Sequence, residues 1–137
     1  MKPIKKDKAK QPWLETVERG EPSPKEIAAG EARQVRGRKM TTKAELMNEM
    51  AAALQFPAYF GENWDALNDC LRDFAGSHKS FNLWVLEAHR VLEAATAADR
   101  ATFWELLHEV HEEEMGFRVV AQVGKAELAG FRKVVSD

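Results

Sequence analysis

Two carboxylates four positions apart are the strongest candidates in this chain for a role in catalysis or binding. Asp65 and Asp69 lie in a segment with helical periodicity, and an i,i+4 spacing places both side chains on one face of a helix. Such a pair can act as acid and base, as in glycoside hydrolysis, or it can bind the cations of another molecule. The simplest alternative is an ordinary solvated helix face.

Acid and base catalysis is disfavoured by this placement. Paired catalytic carboxyl groups face each other across a cleft, usually from separate elements, whereas two acids on one exposed helical face stay solvated and ionised. The sequence has no Ser/His/Asp or Cys/His arrangement and no glycine-rich phosphate loop. We therefore predict a protein that is not an enzyme and that needs no cofactor.

Two histidines raise the possibility of a metal site. His108 and His111 are separated by i,i+3, whereas the zincin motif needs i,i+4 with a glutamate directly after the first histidine. No third ligand is evident, and the acidic run at 112–114 fits a solvated helix face. The sequence predicts no metal.

The single cysteine, Cys70, excludes an internal disulfide and is typical of a reducing compartment. Its place at the edge of an apolar helix face favours a small buried side chain over a nucleophile. No signal peptide is visible, and the apolar runs are too short to span a bilayer. We expect a cytoplasmic protein without a membrane partner.

Charge divides the chain into a basic lead and an acidic body. Residues 1–40 carry 11 Lys and Arg against 6 Asp and Glu, and the remaining residues carry 9 against 16. An acidic body attracts a cationic partner and repels nucleic acid. The lysines between Lys2 and Lys10 could bind nucleic acid weakly, but solvation of a flexible tail explains them more simply.

The elements that must position these residues follow from hydrophobic periodicity and from capping and breaker residues. The first 30 residues are expected to be a largely flexible extension, in which Trp13, Leu14 and Val17 could dock as one short helical turn. The body, residues 31–123, begins with a strand at Ala32–Arg36. A capping box at Thr42 and Glu45 opens a helix that Pro57 ends.

Two further strands and several helices complete the body. The predicted elements are a second helix at 64–75, a strand at Phe81–Leu86 buried on both faces, a short helix at 89–95, a long helix from about Asp99 to a left-handed Gly116, and a strand at 117–123. This order implies an α/β fold with a three-stranded parallel sheet and helices packed against it. Residues 124–137 could add a strand or a helix.

The second helix has two distinct faces on a 100° wheel. Trp64, Leu67, Leu71 and Phe74 fall on the apolar face, and Asp65, Asn68, Asp69 and Arg72 fall on the opposite face. Trp64 is thus expected to pack against the core. The acidic face is expected to meet a partner or solvent.

The segment around this helix resembles the signature of the barstar family, small intracellular inhibitors of secreted bacterial ribonucleases. The matching motifs are Tyr59-Phe60-Gly61-Glu62-Asn63, Asp65-Ala66-Leu67 and Asp69-Cys70-Leu71. The resemblance is dense over about residues 54–74 and continues in element order over about residues 32–123. It implies the same strand and helix order.

The resemblance also implies roles for individual residues. Tyr59 becomes an aromatic anchor, Asp65 and Asp69 the principal acidic contacts, and Asp69 the residue that enters the catalytic cleft. Glu112 is the candidate for a glutamate that the family uses on its later long helix, with His111 as the alternative at that position. Gly61 is expected to permit the backbone bend that enters the helix.

The chain departs from the family pattern at two aromatic positions. Asn68 stands where the family has an interfacial tryptophan, and Phe74 replaces another tryptophan. The loss of a ring at Asn68 removes apolar contact area from the centre of the expected interface. The inhibitor is therefore weaker or tuned to a different nuclease.

The predicted function is a cytoplasmic inhibitor of a bacterial ribonuclease or nuclease toxin, an immunity protein or antitoxin that binds its target one to one. Carboxylates on the helix would occupy phosphate positions in a basic cleft. The complex that this family forms is itself a usual example of electrostatic steering, so this logic comes with the resemblance. The alternative is a barstar-fold adaptor or regulator that binds a non-nuclease protein.

Overall fold

Capping side chains begin four of the helices, and three of these caps are Thr or Asn residues. Thr42, Asn63 and Thr96 each accept a hydrogen bond from a backbone N–H three residues on. The computed structural model describes residues 12–57 and 60–136. Its elements are β1 (Leu14–Val17), α1 (Pro24–Ala28), β2 (Ala32–Arg36), α2 (Lys43–Leu54), α3 (Trp64–Gly76), β3 (Phe81–Leu86), α4 (Ala97–Glu113), β4 (Phe117–Gln122) and α5 (Leu128–Ser136), with 3-10 helices at Gly37–Lys39, Ala88–Arg90 and Lys125–Glu127.

The four strands form one parallel sheet in the order β1-β4-β3-β2. The α/β class, the parallel sheet and the three predicted strands are confirmed. The strand count was short by one, because residues 14–17 are a strand and not the expected helical turn. Leu14-Glu15-Thr16-Val17 contains two β-branched residues and pairs with Val119 to Gln122, more than a hundred residues away.

The two faces of the sheet have different surroundings. Phe81, Leu83 and Val85 of β3 are buried in the core that the helices cover. Asn82 and Trp84, which point to the other face, are half-buried and line a cavity of about 520 Å³. The expectation that β3 is buried on both faces was wrong, because the described residues cover this second face only in part.

The segment between β1 and β2 lies against that second face. Gln122 of β4 donates a hydrogen bond to the carbonyl of Gly20 at 3.1 Å, and Pro22 is buried. Ser23 and Glu26 form a reciprocal capping box that begins α1. Residue 12 onward of the predicted extension is thus built into the fold, and Lys2 to Lys10 lie outside the described residues.

Helices α2, α3, α4 and α5 supply the rest of the core. The apolar stripes expected at helical spacing are buried, except Ala51, which is half-buried: Leu46, Met47, Met50 and Leu54 in α2, and Phe103, Leu106, Leu107 and Val110 in α4. The capping box predicted for α2 forms only in part, because Glu45 accepts hydrogen bonds from Thr41 and not from the Thr42 backbone. The short helix expected at 89–95 is a single 3-10 turn at Ala88–Arg90 followed by turns.

Residues after β4 form α5, which settles the open choice between a strand and a helix. Phe131 of α5 is buried and meets the Trp104 ring edge-on at 5.2 Å. The division of the chain at residues 30 and 123 stays a prediction, although β1 and α5 both pack on the body. Within the described ranges, the search for a helix long and apolar enough to cross a membrane finds none.

Gly116 lies beyond the end of α4, and the reason for a glycine at this position was not visible in the sequence. Its φ is not positive, so the predicted left-handed cap is wrong. A Cβ at this position would lie 2.1 Å from the carbonyl oxygen of Lys79. Glycine is required there because another backbone segment approaches closely.

Candidate functional site

The loop before α3 turns through a residue with positive φ. That residue is Glu62, with φ 54°, whereas Gly61 does not adopt the left-handed region. The bend predicted for Gly61 is therefore made one residue later. Asn63 then caps the helix, because its side-chain oxygen accepts a hydrogen bond from Ala66 N at 2.8 Å. The loop positions the first turn of α3 through a defined hydrogen bond.

Aromatic contacts surround this loop. The rings of Phe56 and Phe60 lie 5.1 Å apart, and Lys43 Nζ lies 5.2 Å from the centre of the Trp64 ring. Tyr59, the predicted aromatic anchor, lies outside the described residues. Its role as an anchor stays a prediction.

The apolar face of α3 fixes the rotation of the helix about its axis. Leu67 and Leu71 are fully buried, while Trp64 and Phe74 are half-buried. The Phe74 ring meets the Phe81 ring of β3 edge-on at 4.8 Å. Because this face is held in the core, the opposite face cannot turn inward without losing its packing.

Asp65 and Asp69 lie on that opposite face, and both are exposed. The Asp69 side chain is 74% exposed, and its Oδ1 lies 3.6 Å from an Arg72 side-chain nitrogen. Exposed carboxylates on a rigid helix can pair with the cations of a docking protein at little cost in side-chain ordering. The structure thus presents two ionisable acids on one helix face, as the wheel predicted.

Asn68 does not share the full exposure of its acidic neighbours. It is half-buried, and its Oδ1 is shielded from solvent without a hydrogen-bond partner among the described residues. A buried acceptor without a donor is unfavourable. The side chain lies at the border of the acidic face, beside the core.

Arg72 links α3 to α4. Its guanidinium donates to Glu113 Oε2 at 2.5 Å, and this hydrogen bond, followed by the charge of Glu113, raises the pKa of Arg72. Glu113 was missed in the sequence, where a run of three glutamates offers no sign of which one faces α3. Its contact with Arg72 brings a carboxylate of α4 next to the acidic face.

Glu112, the predicted contact on α4, is exposed on a different side of the helix. Its Oε2 lies 3.7 Å from His108 Nε2, and the His108 ring stacks on Trp13 at 5.0 Å. On a 100° wheel Glu112 and Glu113 point in clearly different directions, and it is Glu113 that reaches α3. A role for Glu112 in binding stays a prediction.

His111, the alternative to Glu112, is buried. It is 6% exposed, and its Nδ1 lies 2.8 Å from the carbonyl oxygen of Phe117. It joins α4 to β4 and is not available to a partner in this structure. Within the described part of the chain, no group of three His, Cys, Asp or Glu side chains could hold a metal ion.

Cys70 is half-buried and unpaired. Burial, with smaller effects from the charges of Asp73 and Asp69, raises the pKa of its thiol. A raised pKa keeps the side chain protonated at neutral pH and makes it a poor nucleophile. Its environment fits a small packing residue.

Comparison with known proteins places most of this architecture in a family. A family model described as Barstar (barnase inhibitor) matches residues 31–123, which is more than half of the chain. The match runs from the residue before β2 to the residue after β4 and includes α3 with both exposed aspartates. No curated protein matches the chain.

Proposed function

Because the chain belongs to the barstar family, we propose that it inhibits a bacterial ribonuclease or nuclease toxin by covering a basic active-site cleft with α3. Asp65 and Asp69 are the principal contacts in this proposal, and Tyr59, Asn68 and Glu112 are proposed as further contacts. The partner binds one to one, and the chain uses no cofactor. The proposal places the protein in the cytoplasm, as an immunity protein or antitoxin.

One observation carries the proposal. Asp65 and Asp69 are exposed on one face of α3 while Leu67 and Leu71, on the other face, are fully buried. The carboxylates are therefore presented by a helix that cannot roll away from a partner. Pre-organisation of this kind lowers the ordering cost of binding.

The chemistry follows from what a ribonuclease cleft must contain. Such a cleft holds phosphates through Arg, Lys and His side chains, and carboxylates can occupy the same positions and accept the same hydrogen bonds. Opposite charge on the two surfaces also steers association, which makes the association rate fall as salt is added. The acidic body and a basic nuclease are complementary in this sense.

A panel of basic secreted bacterial ribonucleases tests the proposal. Initial rates of RNA cleavage are measured while the purified chain is titrated into each enzyme at two salt concentrations. We expect complete inhibition of at least one enzyme, with an endpoint at equal molar amounts and slower association at higher salt. Absence of inhibition across the panel, together with an unchanged thermal melting temperature of each enzyme in the mixture, contradicts the proposal.

A second candidate is a barstar-fold adaptor that binds a non-nuclease protein. It is favoured by Asn68 at the centre of the expected interface, by the cation Arg72 beside it, and by β1 and α5 outside the matched residues. Capture of partners from the native cytosol separates the two candidates. A non-nuclease partner whose binding survives charge reversal at Asp65 and Asp69 supports the adaptor.

A further inference from the structure

Arg72 is the only cationic residue of α3, and it lies on the acidic face that the proposed function assigns to a basic partner. A partner that covers Asp65 and Asp69 must also approach this guanidinium. Arg72 has the same charge as the basic partner and therefore repels it. Its side chain is also long enough to form an ion pair with Asp69, in competition with the partner. The position of its side chain therefore affects how much negative charge the face offers.

The structure shows where that side chain is held. One guanidinium nitrogen is hydrogen-bonded to Glu113 of α4, and the other lies 3.6 Å from Asp69 Oδ1, close enough for a loose ion pair but beyond ordinary hydrogen-bond distance. Arg72 thus stands between two carboxylates and is bound to the one on the other helix. Asp69 keeps its exposure even though an intrahelical cation lies three residues away.

Resting on the proposed function, we propose that Glu113 is a positioning residue that draws Arg72 toward α4, so that Arg72 pairs with Asp69 only loosely and most of the Asp69 carboxylate stays available to the partner. The pair of Arg72 and Glu113 neutralises itself within the chain. The partner that fits this surface is a ribonuclease with cations opposite Asp65 and Asp69 and none opposite Arg72. Glu113 acts through Arg72 and makes no contact of its own with the partner.

Loss of Glu113 has a defined consequence under this proposal. The released guanidinium moves to Asp69, since i,i+3 pairs of opposite charge attract on a helix surface. A partner cation must then compete with Arg72 for the same carboxylate. Loss of both side chains removes the competitor, so the effect of the Glu113 substitution disappears.

A double-mutant cycle tests this on any ribonuclease that the wild-type chain inhibits. Glu113→Gln is expected to raise the inhibition constant about two- to fivefold, the range of an exposed ion pair. Arg72→Ala is expected not to raise it, and the double variant is expected to match Arg72→Ala. Glu109→Gln is the control, because it removes the same charge from the exposed side of α4 and makes none of the described ion pairs.

The proposal is overturned if Glu113→Gln raises the inhibition constant by the same factor in the wild-type protein and in the Arg72→Ala variant. That result would show that Glu113 contacts the partner directly. A crystal structure of Glu113→Gln gives a readout that needs no nuclease. We expect the Arg72 to Asp69 nitrogen–oxygen distance to fall from 3.6 Å to hydrogen-bond length. An unchanged or longer distance overturns the proposal, whereas failure of the wild-type chain to inhibit any ribonuclease overturns only the proposed function.

Discussion

The side-chain oxygen of Asn63 lies 2.8 Å from the backbone nitrogen of Ala66 and accepts its hydrogen bond. This bond satisfies an N–H of the first turn of α3 that has no partner within the helix. The same turn carries Asp65, so the cap and the candidate binding residue share one local structure. A substitution that disorders the cap is therefore expected to disorder the acidic face as well.

We expect Asn63→Ala to lower the free energy of unfolding by about 1 kcal/mol, the usual cost of losing an N-cap side chain. Urea denaturation at neutral pH measures it. Asn48→Ala is the matched control, because Asn48 is exposed within α2, where alanine is the better helix former. Equal stability losses in the two variants would show that the Asn63 cap contributes nothing.

The ion pair between Glu49 and Arg36 makes stability depend on pH. Burial alone raises the pKa of Glu49, but hydrogen bonds from the side chain and backbone of Arg36, together with its charge, outweigh burial and lower the pKa below its usual value. The folded protein therefore binds this proton less tightly than the unfolded chain. The stability that this ion pair contributes is complete at pH values above the pKa of Glu49 in the unfolded chain. It is lost as the pH falls through the lower pKa of Glu49 in the folded protein.

Glu49→Gln is accordingly expected to cost roughly 1 kcal/mol at pH 7, a modest value because Arg36 is partly exposed. The difference from wild type narrows as the pH falls below the usual pKa of a glutamate and through the lowered pKa of Glu49 in the folded protein. Urea unfolding at pH 7 and pH 3 measures it. A difference that stays constant over this range, or widens in acid, contradicts the assigned role of the pair.

Two glycine-to-alanine substitutions are expected to change the stability in opposite directions, one between α4 and β4 and one within α5. Gly116→Ala places a methyl group against the carbonyl oxygen of Lys79, and the required backbone shift should cost about 1–3 kcal/mol. Gly130→Ala in α5 meets open space and should stabilise the protein by about 0.5–1 kcal/mol. Thermal unfolding of both variants measures the contrast. A Gly116→Ala protein as stable as wild type would refute the close approach.

The C-terminal helix is expected to be an integral part of the core. Phe131→Ala removes a buried ring from Trp104 and should lower the free energy of unfolding by about 3–5 kcal/mol. The neighbouring exposed residue gives the control, Lys133→Ala, which should change stability by less than about 0.5 kcal/mol. Similar effects of the two substitutions would mean that α5 does not pack as described.

Local patterns predicted the body of the fold and the acidic helix well. The 100° wheel placed Leu67 and Leu71 inside and Asp65 and Asp69 outside, because one helix with one strongly apolar stripe has a single way to pack. The apolar run at Phe81–Leu86 likewise predicted a strand, and β3 has the same bounds. The resemblance to the barstar family added the expected class of partner, which hydrophobic periodicity alone cannot predict.

The features that were missed depend on residues far apart in the sequence. β1 is a strand because β4 pairs with it, and Gly116 is needed because Lys79 passes close by. The run of glutamates at 112–114 could not reveal which member reaches Arg72, since that depends on how α4 is rotated against α3. The burial of His111 depends in the same way on the Phe117 carbonyl.

The central claim is that the exposed carboxylates of α3 bind the basic cleft of a ribonuclease. The most direct measurement is the inhibition constant of Asp69→Asn against a ribonuclease that the wild-type chain inhibits, with Glu105→Gln on the exposed side of α4 as the charge-matched control. We predict that Asp69→Asn raises the inhibition constant at least about 30-fold, because removal of one partner of a buried charge pair costs about 2–5 kcal/mol. The control should change the inhibition constant by no more than about twofold. A folded Asp69→Asn protein that inhibits as well as wild type would contradict the account.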